Sequence, residues 1–238
     1  MLLFYIRHGN PIYDPDSLTP LGERQAEAVA KRLALYGIDE IYASSSNRAK
    51  QTAVPTCEIL RKEMTVLDWC NEHYAWLDLA VPLENGKRNW AFCSPKYKEL
   101  FNSREVREMG MEWYQHPAFA DTHFGDGIKR IGGEVEHFMR MLGYVHDAEK
   151  CGYVAKQPND RRVALFAHQG FGLAFLSLLL DIPYPVFCTH FDMSHTGMSV
   201  IEFPDQEGIV YPKLLQLSND SHLYREGLPT KYNNYVYF

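Results

Sequence analysis

The sequence predicts an α/β fold: a three-layer sandwich in which helices flank a mostly parallel central sheet, with a helical and loop insertion over the sheet's carboxyl edge. Three observations predict it. Leu2-Leu3-Phe4-Tyr5-Ile6 is an unbroken apolar run with the length and the aromatic, β-branched character of a strand buried on both faces. A strand, helix, strand order follows at once, the unit that builds parallel sheets. A second run of the same type, Val163-Ala164-Leu165-Phe166-Ala167, returns late in the chain.

The chain has 238 residues, 46% of them hydrophobic. A chain of this length buries roughly 70–75% of its unfolded surface, so a single domain over 1–238 is expected. The net charge of −6 argues against nucleic-acid and anionic-membrane partners, whose electrostatics call for a basic excess. Five cysteines, odd in number and never in a Cys-x-x-Cys pair, suit a reducing cytoplasm and neither a disulfide frame nor a zinc knuckle. The N-terminus lacks the pattern of a signal peptide, and no apolar stretch approaches bilayer-spanning length.

The first strand ends in Arg7-His8-Gly9. The carboxyl edge of an open α/β sheet is where ligands bind, because loops diverge there and helix N-termini point into the crevice. Gly9 would let a substrate or another backbone segment come close. After a loop with Pro11, Asp14, Pro15 and Asp16, Thr19-Pro20 starts a helix, the hydroxyl capping and the proline at the first helical position. Ala26, Val29, Ala30 and Leu33 form its apolar stripe, and Gly37 closes it. Ile38–Ala43 reads as the second strand. Ser44-Ser45-Ser46 opens a second helix with Arg48 in its first turn, a placement that an anion in the crevice would explain, the alternative being an exposed surface arginine. Pro55 is expected to kink or shorten that helix near Gln51.

Val66-Leu67 is a minimal third strand. From Ala75 to Ile128 prolines and dense aromatics replace any clean period, and this insertion reads either as a cap over the substrate or as a packed helical appendage. Gly132-Gly133 opens a further helix. The strand Val163–Ala167 then ends in His168-Gln169-Gly170, which delivers a second imidazole to the edge that carries the first. Phe171–Leu180 reads as a buried helix, and Met198–Phe203 and Leu214–Leu217 as late strands, an antiparallel pair around Asp205 to Gly208. The tyrosine-rich tail, Lys231–Phe238, reads either as a partly ordered end or as a subunit contact, and a homodimer is the oligomer considered.

Taken together, Arg7-His8-Gly9, Leu18-Thr19-Pro20-Leu21-Gly22, Ser44-Ser45 with Arg48-Ala49 and Gln51-Thr52-Ala53, His168, and Asn219-Asp220-Ser221-His222-Leu223 resemble the histidine phosphatase superfamily, in its phosphoglycerate-mutase-like branch. The resemblance covers about residues 1–72 and 130–223. It implies a metal-independent phosphomonoesterase, a histidine acid phosphatase-like hydrolase of a small phosphorylated substrate, that works through a phosphohistidine on His8. Arg7, Arg48, His168 and Gln169 would bind the phosphoryl group, with His168 acting as a donor or cation. Glu72, after the third strand, would be the carboxylate that protonates the leaving oxygen and later activates water. Asp78 and Glu84 are its rivals. Asn10 and Thr19 would border the substrate, and His222 would be structural.

Phosphoryl transfer asks chiefly for positioning and electrostatics, so no cofactor is expected. Neither His190/His195 nor His116/His123 has partners at zinc-binding spacing. Two alternatives share the pocket. A phosphoglycerate-type mutase would need a cation pair for the substrate carboxylate, for which Lys87-Arg88 and Lys129-Arg130 are imperfect substitutes. A non-catalytic phospho-ligand-binding protein would keep the pocket without the acid.

Overall fold

The structure, a computed structural model, describes residues 1–230. β1 (Leu2–Arg7) is followed by a small hairpin, β2 (Pro11–Tyr13) and β3 (Asp16–Leu18), and by α1 (Pro20–Tyr36). The helix forms where its signals lie: Thr19 accepts from the Gly22 N–H, Pro20 takes the first turn, and Gly37 ends it at φ 70°. β4 (Glu40–Ser44), α2 (Asn47–Leu60) and β5 (Met64–Leu67) complete two parallel crossovers. α2 runs unbroken through Pro55, contrary to expectation. The Gln51 carbonyl, deprived of its donor, belongs to an exposed residue, where water can replace the missing bond.

The insertion contains α3 (Glu72–Leu79), a two-stranded ribbon of β6 (Ala80–Pro82) and β7 (Arg88–Trp90), and the short helices α4 (Pro95–Phe101) and α5 (Arg104–Glu108). α6 (Phe124–Met141) starts eight residues before the expected Gly132. A Cβ on Gly127 would lie 2.4 Å from that of Asp78. That glycine therefore belongs to a helix in close contact with α3, not to a loop. β8 (Tyr144–Asp147) and β9 (Gly152–Ala155) precede β10 (Arg162–Ala167), α7 (Gln169–Leu179) and α8 (Tyr184–His190). β11 (Met198–Glu202), β12 (Gly208–Val210), β13 (Lys213–Asn219) and α9 (Ser221–Arg225) end the described chain. The expected late pair, β11 and β13, is antiparallel, with β12 intervening to join β8 and β9 in a separate small sheet. The tyrosine-rich tail lies outside the described residues.

The central sheet has the order β13-β11-β1-β10-β4-β5, parallel from β1 to β5, with β11 antiparallel to β1. Alternate residues of β1 feed opposite layers. Phe4 and Ile6 pack with Val29, Leu33 and Ala53 of α1 and α2, and Leu3 and Tyr5 pack in the larger core with Phe171 and Phe175 of α7 and Phe138 of α6. All five cysteines are free thiols. No helix among the described residues is long and apolar enough to cross a membrane.

Candidate active site

The parallel register pairs Arg7 of β1 with Ala167 of β10, and the His8 N–H donates to the Ala167 carbonyl at 2.9 Å. His8 and His168 therefore leave neighbouring strands at the same level, with ring centroids 5.3 Å apart. Both are buried, at 1% and 0% exposure. The buried Tyr5 hydroxyl donates to the His168 carbonyl at 2.6 Å and fixes that turn from below. Gly9 serves backbone packing, since a Cβ there would lie 2.6 Å from the Gly22 carbonyl oxygen of α1.

The hydrogen bonds set the tautomers. His8 Nδ1–H donates to the Gly9 carbonyl at 2.7 Å, which leaves Nε2 with its lone pair. His168 Nε2–H donates to Ser44 Oγ at 2.8 Å, and its Nδ1 accepts from Arg48 Nη2 at 3.2 Å. Burial holds the His8 pKa well below 6.5, and charge on His168, Arg7 and Arg48 pushes it the same way. Burial, then Arg48 and Arg7, do so for His168. Both rings are neutral near pH 7. In this arrangement His168 Nδ1 receives a hydrogen bond from Arg48 and orients it.

Arg48 is the hub. Its Nη1 donates to Asp16 Oδ1 at 2.7 Å and its Nη2 to Glu72 Oε2 at 3.3 Å. Asp16 Oδ2 also accepts from the Asn47 N–H at 2.7 Å, so this carboxylate covers the N-terminus of α2, whose Ser46 provides no side-chain cap. The anions that explain a basic residue here are therefore protein carboxylates in the resting site. Arg7 donates through Nη1 to the Met193 carbonyl at 2.5 Å and meets His195 Nε2 at 3.0 Å through Nη2.

Of the three candidate acids the fold brings only Glu72 to the imidazoles. Its Oε1 accepts from the Gly170 N–H at 2.8 Å and its Oε2 lies 3.5 Å from His168 Nδ1. Asp78 is bound instead to Arg130 at 2.7 Å, and Glu84 is exposed at the turn of the β6–β7 ribbon. Three other expected contacts point elsewhere. The Gln169 side chain donates to Asp192, leaving only its backbone at the start of α7 beside the site. Thr19 Oγ1 is used by the cap of α1 and by Asn10 Oδ1 at 2.9 Å, and this pair closes the loop after His8. His222 is buried, 3.0 Å from Thr196 Oγ1.

His195, which the sequence brings forward only in a histidine pair weighed for zinc, has its ring centroid 5.8 Å from that of His8. Asp16, read from the sequence only as a loop residue, joins the site through Arg48. Among the histidine pairs weighed for zinc, His190 is bound to Arg107 at 3.0 Å and His116 accepts from the Ala118 N–H. His8, Glu72 and His168 place ligand atoms within 4.8 Å of one another and form a geometric candidate for a metal. Arg48 already donates to two of the three, and its charge opposes a cation there.

Above this floor opens a cavity of about 760 Å³. Trp76, Trp90, Asn71, Asn89, His73 and Tyr13 line it beside Arg48 and Glu72. Three of the four cations considered for a second anionic group are held elsewhere. Arg88 donates to the Leu77 and Ala80 carbonyls, Arg130 is held by Asp78, and Lys129 lies over the Tyr114 ring.

Residues 3–76 match the family model of the histidine phosphatase superfamily (branch 1). No curated protein matches the chain. Solved structures of similar fold include a phosphoserine phosphatase from Entamoeba histolytica in complex with 3-phosphoglyceric acid, at 18% identity and TM-score 0.59 over 93% of this chain and 98% of that one. A mycobacterial glucosyl-3-phosphoglycerate phosphatase complexed with VO3 aligns at 19% identity and TM-score 0.57, over 90% and 97% of the two chains. The alpha-ribazole phosphatase from Shigella flexneri aligns at 18% and 0.56, over 92% and 97%. The histidine phosphatase superfamily (branch 1) pattern thus spans the strand that bears His8 and the helix that bears Arg48, and the chain as a whole shares the fold of these solved structures.

Proposed function

We propose that the chain hydrolyses phosphomonoesters through a phosphohistidine on His8. The observation that carries this reading is the bond from His8 Nδ1 to the Gly9 carbonyl, which presents Nε2 as an unprotonated nucleophile beside two guanidiniums. An entering phosphoryl group takes over Arg48 donors now given to Asp16 and Glu72, so its charge is neutralised where it develops. The ester enters as its monoanion and passes its proton to Glu72, released from Arg48; Nε2 then forms a bond to phosphorus as the ester oxygen leaves, and Glu72 delivers that proton to the leaving oxygen. Glu72 then accepts a proton from the water that displaces the imidazole and frees inorganic phosphate. His195 steadies Arg7 at the rear.

The segment 75–128 acts in this reading as the cap of a single domain, with α3 and the β6–β7 ribbon facing the substrate. The aromatic cluster of Phe101, Trp113, Phe119 and Phe124 packs as the core of the cap. Phosphatase names among structures of the same fold support hydrolysis. The positions of Arg88, Arg130 and Lys129 away from the cavity speak against the mutase alternative.

The test is release of phosphate from p-nitrophenyl phosphate in excess chelator. Activity is expected to persist, and His8→Ala is expected to lower kcat by a factor on the order of 10⁴ or more with the circular-dichroism spectrum unchanged. Rapid acid-free quenching should trap an alkali-stable phosphoenzyme. Loss of activity in chelator, or full activity in His8→Ala, would remove the mechanism.

A further inference from the structure

We infer that the leaving group this site accepts is an uncharged alcohol carrying a flat aromatic or heteroaromatic body, and not a small carboxylic acid. The inference rests on the phosphatase reading and concerns the same cavity. Its size, about 760 Å³, lies in the range of drug-sized ligand sites and leaves ample room beyond a phosphoryl group. The walls are flat rings held in place. Trp76 meets Trp90 edge to face at 5.1 Å, and Trp90 stacks on Phe92 at 5.6 Å with planes 14° apart. Trp90 also lies directly on the first turn of α7, where a Cβ on Gly170 would fall 2.3 Å from its ring. A substrate whose phosphoryl group faces His8 therefore has its organic part beside an indole that cannot swing away.

Charge points the same way. Among the described residues that line the cavity, Arg48 is the one arginine or lysine, and it faces the phosphoryl end with Asp16 and Glu72 beside it. A carboxylate on the leaving group would lose its hydration next to Asp16 with no cation to receive it, which is costly. A neutral ring meets no such penalty. Asn89, 1% exposed, is fixed in this wall, its Oδ1 accepting from the Trp90 backbone N–H at 2.9 Å.

The experiment compares 2-phenylethyl phosphate with phosphoserine and 3-phosphoglycerate. All three have alkyl leaving oxygens, so intrinsic reactivity does not decide the ranking. kcat/KM is expected to favour the phenylethyl ester at least tenfold over either acid. Trp90→Ala should lower the phenylethyl-to-ethyl phosphate selectivity at least fivefold, and Trp90→Phe should restore most of it. Calorimetric titration of the His8→Ala protein with the same esters reads binding without turnover, and the phenylethyl ester should bind more tightly. Faster hydrolysis of either acid, or a selectivity unchanged in a folded Trp90→Ala, overturns the inference and leaves the phosphatase reading standing. Hydrolysis of none of the esters removes the phosphatase reading instead, and calorimetry then decides: equal or tighter binding of phosphoserine to His8→Ala overturns the leaving-group inference as well.

Discussion

The floor of the site and its wall are built by different means. His8, His168 and Ser44 sit at the ends of three adjacent parallel strands, and the backbone register alone puts them side by side. Trp76 and Trp90 come from a helix and a ribbon with no fixed register to the sheet, and only packing on Gly170 and Phe92 locates them. In the proposed mechanism the chemistry is carried by the part of the molecule that tolerates least displacement, and the proposed selectivity by the part that another sequence could rebuild. Arg48 and Glu72 join the two, since each touches His168 and lines the cavity.

Removing that junction should give the largest effect. Arg48→Ala takes away two charge-assisted contacts available to a phosphoryl group, and vanadate or phosphate binding is expected to weaken by about 2–3 kcal/mol. Titration of vanadate against p-nitrophenyl phosphate hydrolysis measures it. Unchanged affinity would mean that Arg48 serves only Asp16 and Glu72, and the floor and wall would then be joined structurally and not through the ligand.

This division also explains what could be read before any fold was known. Apolar runs of five residues ending in His8 and His168 announce two buried strands and a shared edge, because strand burial and parallel connection are local rules. Arg48 was legible through its misfit at a helix start. Asp16 and His195 were not, since their meaning arises only when the β2–β3 hairpin and the segment before β11 fold onto the floor. The start of α6 was misplaced because Gly125, Gly127, Gly132 and Gly133 depress helix propensity, whereas Gly127 is needed for the close approach of Asp78 on α3. The rings of the wall announced an insertion but not which of them face substrate. Within a dense aromatic segment, the difference between Trp90 on the cavity and Trp113 in the cap's core is set by tertiary packing alone.

A smaller perturbation tests whether the wall is rigid. Gly170→Ala forces a methyl group into the Trp90 ring, and overpacking of this kind costs about 1–3 kcal/mol. Thermal or urea unfolding should show that loss, together with a fall in activity on aromatic esters larger than the fall in vanadate affinity. A variant as stable as the wild type would show that Trp90 moves freely, and the wall would then be adaptable and not preformed.

The smallest effect concerns the support under the floor. Thr196 holds a positive φ of 54°, its N–H donates to the Arg7 carbonyl at 3.1 Å, and its hydroxyl donates to the His195 carbonyl at 2.7 Å. His222 Nε2–H must then be the donor to Thr196 Oγ1. That hydrogen bond needs only the neutral ring, and burial, helped by the Arg32 charge, lowers the His222 pKa to about 4. The unfolded chain, with an ordinary histidine, binds this proton as pH falls through 6.5 while the folded chain refuses it until near 4, so stability is present above 6.5 and declines below it. Between pH 7 and 5.5 the group should account for a loss of about 1 kcal/mol. His222→Gln keeps a donor for Thr196 and removes the titration. His8 and His168 contribute with the same sign in both proteins, so the difference in urea-unfolding free energy across that interval isolates His222. Equal losses in variant and wild type would show that His222 takes up its proton in the folded state as readily as in the unfolded one, and the floor would then be held by β1 and β10 without this brace.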